Sequence, residues 1–464
     1  MKRLNFLLLS VMIAFALQAK DIKYVFFMIG DGMGVNQVFT TERWLGSTVS
    51  EKNRQALTMT QFPTVGLSHT YSKSNGITDS AAGGTALSSM EKTSNGVISM
   101  DSAGITPLRT IAEMARDKGQ AVGVITSVSI DHATPAVFYA HVPNRSMYYE
   151  IGEQLCGSGF DFFGGAWFLS PTGKNNDRRD LMELVKESGY TVLQGYPAYQ
   201  KEGRKHDKVI LTQNDLSRNS LPYAIDRKEG DMTLAEITTA AVDFLQKKNK
   251  GKGFFLMVEG GEIDWACHSN DGATAINEVK DFDNAVKVAY DFYLKHPDET
   301  LIVVTADHET GGLALGNSDY NTSFKRLYSQ KCSLEGLSRK VLEALNDKSK
   351  EFTFDAMKAL VSENTGLFTE IPVSEDQYRR LADAYIKTVS GSKEKAESEY
   401  YTNELIADAA VSILNERSRV GWTTGAHSSA AVPVLSIGKG SEALRGVMQN
   451  CEIPQRVAKI AGYK

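Results

Sequence analysis

The chain has 464 residues, enough to bury one large core or several smaller ones. Its 42% hydrophobic and 23% charged residues are those of a globular protein and exclude a disordered or fibrous chain. A formal net charge of −5 argues against nucleic-acid binding by bulk electrostatics, but leaves room for a buried, locally positive site for a small anion.

Lys2 and Arg3 precede an apolar run from Leu4 to Leu17, followed by Gln18-Ala19-Lys20. A charged start, an apolar stretch short for a bilayer and a small residue at Ala19 predict an export signal over residues 1–19. The protein is therefore expected in the periplasm or secreted, with no membrane span after the signal is removed. Four cysteines, Cys156, Cys267, Cys332 and Cys451, lie far apart without a CxxC pattern. An even count permits two disulfides in three connectivities, and equally permits buried thiols.

Residues 22–29 form an apolar run that ends in Gly30-Asp31-Gly32, the pattern of a buried strand entering a tight turn. Similar runs recur at 121–126, 254–259, 301–306 and 432–437. Between them lie helical patterns. Residues 105–118 begin with Thr106-Pro107 and stop at Gly119. Residues 234–247 and 274–294 carry apolar positions at helical spacing, among them Ile276, Val279, Phe282, Val286 and Tyr290. Strands alternating with helices predict an α/β, three-layer sandwich with a large, mostly parallel central sheet flanked by helices. Residues 316–420 differ, with a charged stretch from Lys393 to Glu399 and an amphipathic pattern at 403–415. They are expected to form a helical insertion or lid between core segments 20–315 and 421–464.

In an open α/β sheet, ligands bind outside the carboxyl ends of the strands. Asp31 follows the first run, Glu259 ends another, and Asp307-His308 follow a third. Asp264 and His268 are four apart, so on a helical turn both reach one ion. His427 stands in Gly425-Ala-His-Ser-Ser429. Singly, each has an ordinary reading as a turn former or a core histidine. Gathered at strand ends, oxygen and nitrogen donors without thiolate suit catalytic zinc. Ser80, in Thr78-Asp79-Ser80-Ala81-Ala82-Gly83-Gly84, opens a helix of small residues. A serine there is usually a cap, yet a helix start beside a metal also stabilises an alkoxide. Arg145 follows Asp131-His132-Ala133-Thr134-Pro135 and offers two parallel donors to an oxyanion.

With these pieces assembled, the sequence resembles the alkaline phosphatase family of metal-dependent phosphomonoesterases. The resemblance rests on Gly30-Asp31-Gly32-Met33-Gly34, Asp79-Ser80-Ala81-Ala82, His132-Ala133-Thr134-Pro135-Ala136 with Arg145, Glu259 to Asp264, Thr305 to His308, and Gly425-Ala426-His427, in family order. It covers residues 22–315 and 421 onward; residues 316–420 carry no matching motif. The resemblance implies that Ser80 is the phosphorylated nucleophile and that Arg145 clamps two phosphate oxygens. It implies that Asp264, His268 and His427 hold one zinc and that Asp31, Asp307 and His308 hold a second. Asp31, Thr134 and Glu259 would hold magnesium, so the cofactors are two Zn2+ and one Mg2+. Small phosphate monoesters are the expected substrates, nucleic acid is not an expected partner, and a homodimer is implied. His132 and Trp265 stand near the substrate where the best-known bacterial pattern has Asp and Lys. That departure puts the occupancy of the magnesium site in question and predicts looser binding of product phosphate. Diesterases, sulfatases and phosphotransferases of the superfamily are the rival enzymes, and a noncatalytic metal- or phosphate-binding protein the rival of another class. Ser80-Ala-Ala-Gly-Gly lacks the Cys/Ser-x-Pro-x-Arg setting of sulfatases.

Overall fold

The computed structural model describes residues 22–316 and 320–464. The export signal expected over residues 1–19 lies outside them. Ten strands form one sheet: β1 (Tyr24–Gly30), β2 (Thr64–His69), β3 (Ala121–Ser129), β4 (Phe162–Ala166), β5 (Thr191–Gln194), β6 (Val209–Thr212), β7 (Phe254–Gly260), β8 (Thr300–Thr305), β9 (Val432–Gly438) and β10 (Gly446–Gln449). Their order is β10-β2-β9-β8-β1-β7-β3-β4-β6-β5. Only β9 opposes its neighbours, antiparallel to both β2 and β8.

The middle of the sheet is apolar on both faces, as a strand covered by helices on each side must be. Along β1, Tyr24, Phe26 and Met28 pack with residues of the helices Leu234–Lys248 and Gly272–Tyr293. Val25, Phe27 and Ile29 point the other way, into a second cluster. The helices Ile111–Asp117, Tyr148–Gly157, Leu181–Glu187 and Glu452–Ala461 contribute to it. This is the expected three-layer α/β sandwich. The helix expected from residue 105 starts later. Thr110 caps it, bonding the Glu113 amide while the Glu113 carboxylate returns to the Thr110 amide. Pro107 instead pairs with Met100 in an isolated bridge. The capping box outweighs the Thr-Pro signal because it satisfies two amides that a proline start leaves open.

Residues 320–420 build their own apolar cluster. It joins the helices Leu334–Asn346, Phe354–Thr365, Glu375–Val389 and Leu405–Ser418 through Leu337, Val341, Met357, Val361, Leu381, Ile406 and Ile413. A short ladder of Ala314–Leu315 against Val420–Gly421 ties its two ends to the body. All four cysteines are free. Among the described residues, no helix is long and apolar enough to cross a membrane.

Candidate active site

The adjacent parallel strands β8, β1, β7 and β3 end side by side. Ile29 pairs with Glu259 on one flank and Thr305 on the other, and Thr126 pairs with Glu259. The residues that follow therefore open onto one crevice. Gly32 makes this possible after β1. Its φ is +70°, and a Cβ there would lie 2.8 Å from Thr310 Oγ1 and 3.0 Å from Asp264 Cα. Asp264 and His268 come from the short helix Glu262–His268 that leaves β7.

Every site residue expected from the sequence falls in or beside this crevice. Asp31, Glu259, Asp264, Asp307 and His308 are completely buried. His308 Nε2 lies 3.2 Å from Asp31 Oδ1 and 3.4 Å from Asp307 Oδ2. Asp264 meets His268 Nε2 at 3.3 Å and His427 Nε2 at 3.6 Å, and the two imidazole nitrogens are 3.1 Å apart. Thr134 Oγ1 donates to Asp31 Oδ2 at 3.4 Å, and Thr126 Oγ1 donates to Glu259 Oε2 at 2.5 Å. Donor atoms of Asp31, Asp307 and His308 form one compact group, and those of Asp31, His132 and Glu259 another. His132 is thus within the cluster rather than beside it. Groups of Asp264, His308 and His427, and of His268, Glu399 and His427, complete the set.

The orientation of the imidazoles is informative. His268 Nδ1 is 2.7 Å from the Gly425 carbonyl and His427 Nδ1 is 2.8 Å from the Thr78 carbonyl. Each Nδ1 donates there, which turns Nε2 into the crevice, where it can offer its lone pair to a cation. Thr310 Oγ1 donates to Asp264 Oδ1 at 2.5 Å, so it accepts from His308 Nδ1 at 3.2 Å and fixes that ring likewise. Three rings turn their Nε2 atoms toward a set of carboxylates.

Those carboxylates are poorly satisfied by protein. Asp31 Oδ1, Glu259 Oε1, Asp264 Oδ2 and Asp307 Oδ2 are buried and accept no hydrogen bond. Burial, reinforced by the neighbouring carboxylates, pushes Asp31 and Asp307 well above the usual range. Burial likewise pushes Glu259 up to about 7. Burial works against Asp264 as well, but His268 and His427 override it and hold that carboxyl low. A dense group of buried acids with open oxygens is costly unless cations neutralise it. The donor set, all oxygen and imidazole nitrogen, fits zinc and magnesium.

Ser80 is not the cap of its helix. Asp79 is, its Oδ1 accepting from Ala82 N at 2.9 Å. That leaves the Ser80 hydroxyl free, 3.2 Å from His308 Nε2. Gly83 lets the helix approach, since a Cβ there would lie 2.8 Å from the Asp307 carbonyl. The other Asp79 oxygen accepts from Gly96 N at 3.0 Å and from Arg145 Nη1 at 3.3 Å, so one side chain both caps the helix and holds the arginine. Arg145 Nη2 is 3.4 Å from His132 Nε2. Burial and then Arg145 push His132 down to about 3, so it is neutral and accepts from the guanidinium.

Trp265 lies at the rim, 5.8 Å from the His132 ring and stacked on Tyr400 at 4.6 Å. Tyr400 and Glu399, whose Oε2 is 3.3 Å from His268 Nε2, enter the site from residues 320–420. Neither carries a local signal in the sequence. The supporting hydroxyls of Thr126 and Thr310 carry none either, although Thr310 stands two residues after His308. The sequence offered Ser80 as the ordinary cap; the signal for Asp79 instead is an acid just before a helix of small residues.

The alkaline phosphatase family model matches residues 22–161 and 164–463. The chain is 34% identical over 450 residues to alkaline phosphatase 3 of Bacillus subtilis (strain 168), covering 96% of this chain and 90% of that protein. Among solved structures, the cold-active alkaline phosphatase of a psychrophilic Shewanella has a TM-score of 0.79 at 28% identity, over 94% of this chain and 99% of that one. A mutant of the alkaline phosphatase from the Antarctic bacterium TAB5, with Mg bound in its M3 site, matches at a TM-score of 0.65 and 26% identity, over 96% of this chain and 100% of that one.

Proposed function

Since the chain belongs to the alkaline phosphatase family and is a phosphomonoesterase, we propose that it works through a phosphoserine formed on Ser80, served by two zinc ions and one magnesium ion. The observation that carries this reading is the Ser80 hydroxyl, relieved of capping by Asp79 and 3.2 Å from His308 Nε2 beside four buried acids with open oxygens. Asp264, His268 and His427 would hold the first zinc; Asp31, Asp307 and His308 the second; Asp31, Thr134 and Glu259 the magnesium. When bound, the ions supply positive charge that acidifies a hydroxyl or water and neutralises a departing oxygen.

The chain's own groups do the rest. Arg145, held by Asp79 and His132, binds two oxygens of the phosphate and aligns phosphorus with Ser80. Ser80 Oγ gives up its proton to solvent and bonds to phosphorus as the bond to the leaving oxygen breaks, and that oxygen leaves as an alcohol once protonated from solvent. Water then attacks phosphorus from the vacated side and the bond to Ser80 Oγ breaks, releasing phosphate. With three divalent ions bound against four carboxylates, the site is net positive, which favours a dianionic monoester over a monoanionic diester. His132 supports a second reading of the third site. Grouped with Asp31 and Glu259, its nitrogen would suit zinc better than magnesium there. The same proposal takes the protein as a homodimer, on the family resemblance, and as periplasmic or secreted, on residues 1–19.

Acid quenching in the presence of phosphate, followed by peptide mass spectrometry, tests the reading. Phosphate on the peptide containing Ser80 is expected. Its absence there, with turnover of nitrophenyl phosphate intact, overturns the phosphoserine step. Faster hydrolysis of bis-nitrophenyl phosphate or nitrophenyl sulfate than of nitrophenyl phosphate would overturn the monoester assignment.

A further inference from the structure

A short antiparallel pair, Ala396–Glu397 with Thr402–Asn403, presents Tyr400 to the site. The Tyr400 ring stacks on Trp265 with planes 21° apart, and meets the His132 and His268 rings edge-on at 5.9 and 5.4 Å. It therefore spans the crevice from the Arg145 side to the His268 side. Stacking accounts for the ring. It does not account for the hydroxyl, which is buried without a hydrogen-bond partner. A buried hydroxyl left unpaired is costly, so a water or a ligand oxygen must meet it there. Tyr400 and Arg145 share a neighbour in His132, whose Nε2 is 3.4 Å from the guanidinium and whose ring centre is 5.9 Å from that of Tyr400. Outside the ring opens a cavity of about 540 Å³, lined in part by Tyr148, Arg218, Trp265, Arg339 and Tyr401. Tyr400, His132 and Glu399 line that cavity as well, so it opens directly beside the arginine site.

We propose that the Tyr400 hydroxyl donates a hydrogen bond to a phosphate oxygen bound by Arg145, and that residues 396–403 are a strap held in place on Trp265. The inference rests on the phosphatase reading of the Arg145 site and extends it to a residue outside the matched motifs. A tyrosine delivered by the strap adds a donor from a different part of the chain than the core residues, so it tunes affinity for phosphate without touching the nucleophile.

Tyr400→Phe in the metal-loaded protein isolates the hydroxyl while keeping the stack. The inhibition constant for inorganic phosphate and the KM for nitrophenyl phosphate should each rise about tenfold. kcat should change less, and the melting temperature and metal content should stay at wild-type values. A purely structural tyrosine would instead lower the melting temperature and leave phosphate inhibition alone. Equal phosphate inhibition of Tyr400→Phe and wild type overturns the inference and leaves the phosphatase reading standing. Phosphate inhibition that survives Arg145→Ala unchanged overturns the reading of the arginine site, and the inference with it.

Discussion

Asp31, Glu259, Asp307 and His308 are buried at the ends of adjacent strands, whereas Glu399 and Tyr400 reach the same crevice from a short hairpin over a separate helical cluster. The first group owes its position to the register of the sheet. Moving any one of them means moving a central strand packed on both faces. The second group is held by side-chain contacts alone: the Tyr400 ring meets Trp265, His132 and His268 and packs against the core on one face of the sheet, and Glu399 reaches His268. On the proposed reading, chemistry that needs fixed distances is at the strand ends, and contacts that would adjust affinity come from residues 320–420. The expectation is that damage to the strand ends appears in turnover, and damage to residues 320–420 in affinity or stability.

The largest effect should follow Ser80→Ala. Loss of the nucleophile is expected to lower kcat by about 10⁴-fold or more, with metal content unchanged by elemental analysis. Arg145→Ala removes a substrate contact rather than the attacking group, and kcat/KM for nitrophenyl phosphate should fall about 10²-fold.

Metal removal should expose the strain of the strand-end cluster as a pH effect. Without metal, Glu259 is pushed up to about 7 by burial. Burial pulls His268 down, but Asp264, the Gly425 carbonyl and Glu399 together outweigh it and push His268 up to about 9. Both groups bind a proton more tightly folded than unfolded. Their contributions therefore favour the fold at low pH and are lost as pH rises, from the ordinary glutamate value toward 7 and from the ordinary histidine value toward 9. The melting temperature of the chelated protein should fall between pH 5 and pH 9, while that of the metal-loaded protein stays nearly level. Differential scanning fluorimetry at both ends of that range reads the difference.

The smallest effect on turnover should come from Leu381→Ala. Leu381 is completely buried in the cluster of residues 320–420. Its truncation should cost about 2–5 kcal/mol of stability by denaturant melts. kcat should stay within about twofold of wild type, since no strand end moves.

Much of the strand-end site was legible in the sequence because its residues directly follow long apolar runs. The runs at 22–29, 254–259 and 301–306 become β1, β7 and β8 within a residue or two. Short strands such as β5 and β6, four residues each, carry too few positions to show a period. β2 alternates strictly between buried and exposed positions, but Thr64, Gly66 and Ser68 face in while Val65 and Leu67 face out, the reverse of the apolar-in pattern that marks a strand. The reversal of β9 is a matter of connection, which an apolar run does not encode. Thr106-Pro107 read as a helix start, but the reciprocal bonds of Thr110 and Glu113 set it at Ile111. Tyr400 and Glu399 were illegible for a different reason. They meet His132 and His268 only through packing of residues far apart in the chain, and their neighbours are charged and without pattern.

The most direct measurement is metal content per chain followed alongside phosphatase activity during stepwise chelation and refilling. Two zinc ions and one magnesium ion per chain are expected, with activity lost as zinc leaves and restored when zinc returns. Full activity in protein stripped of all metal would contradict the convergence of these side chains on cations that activate Ser80.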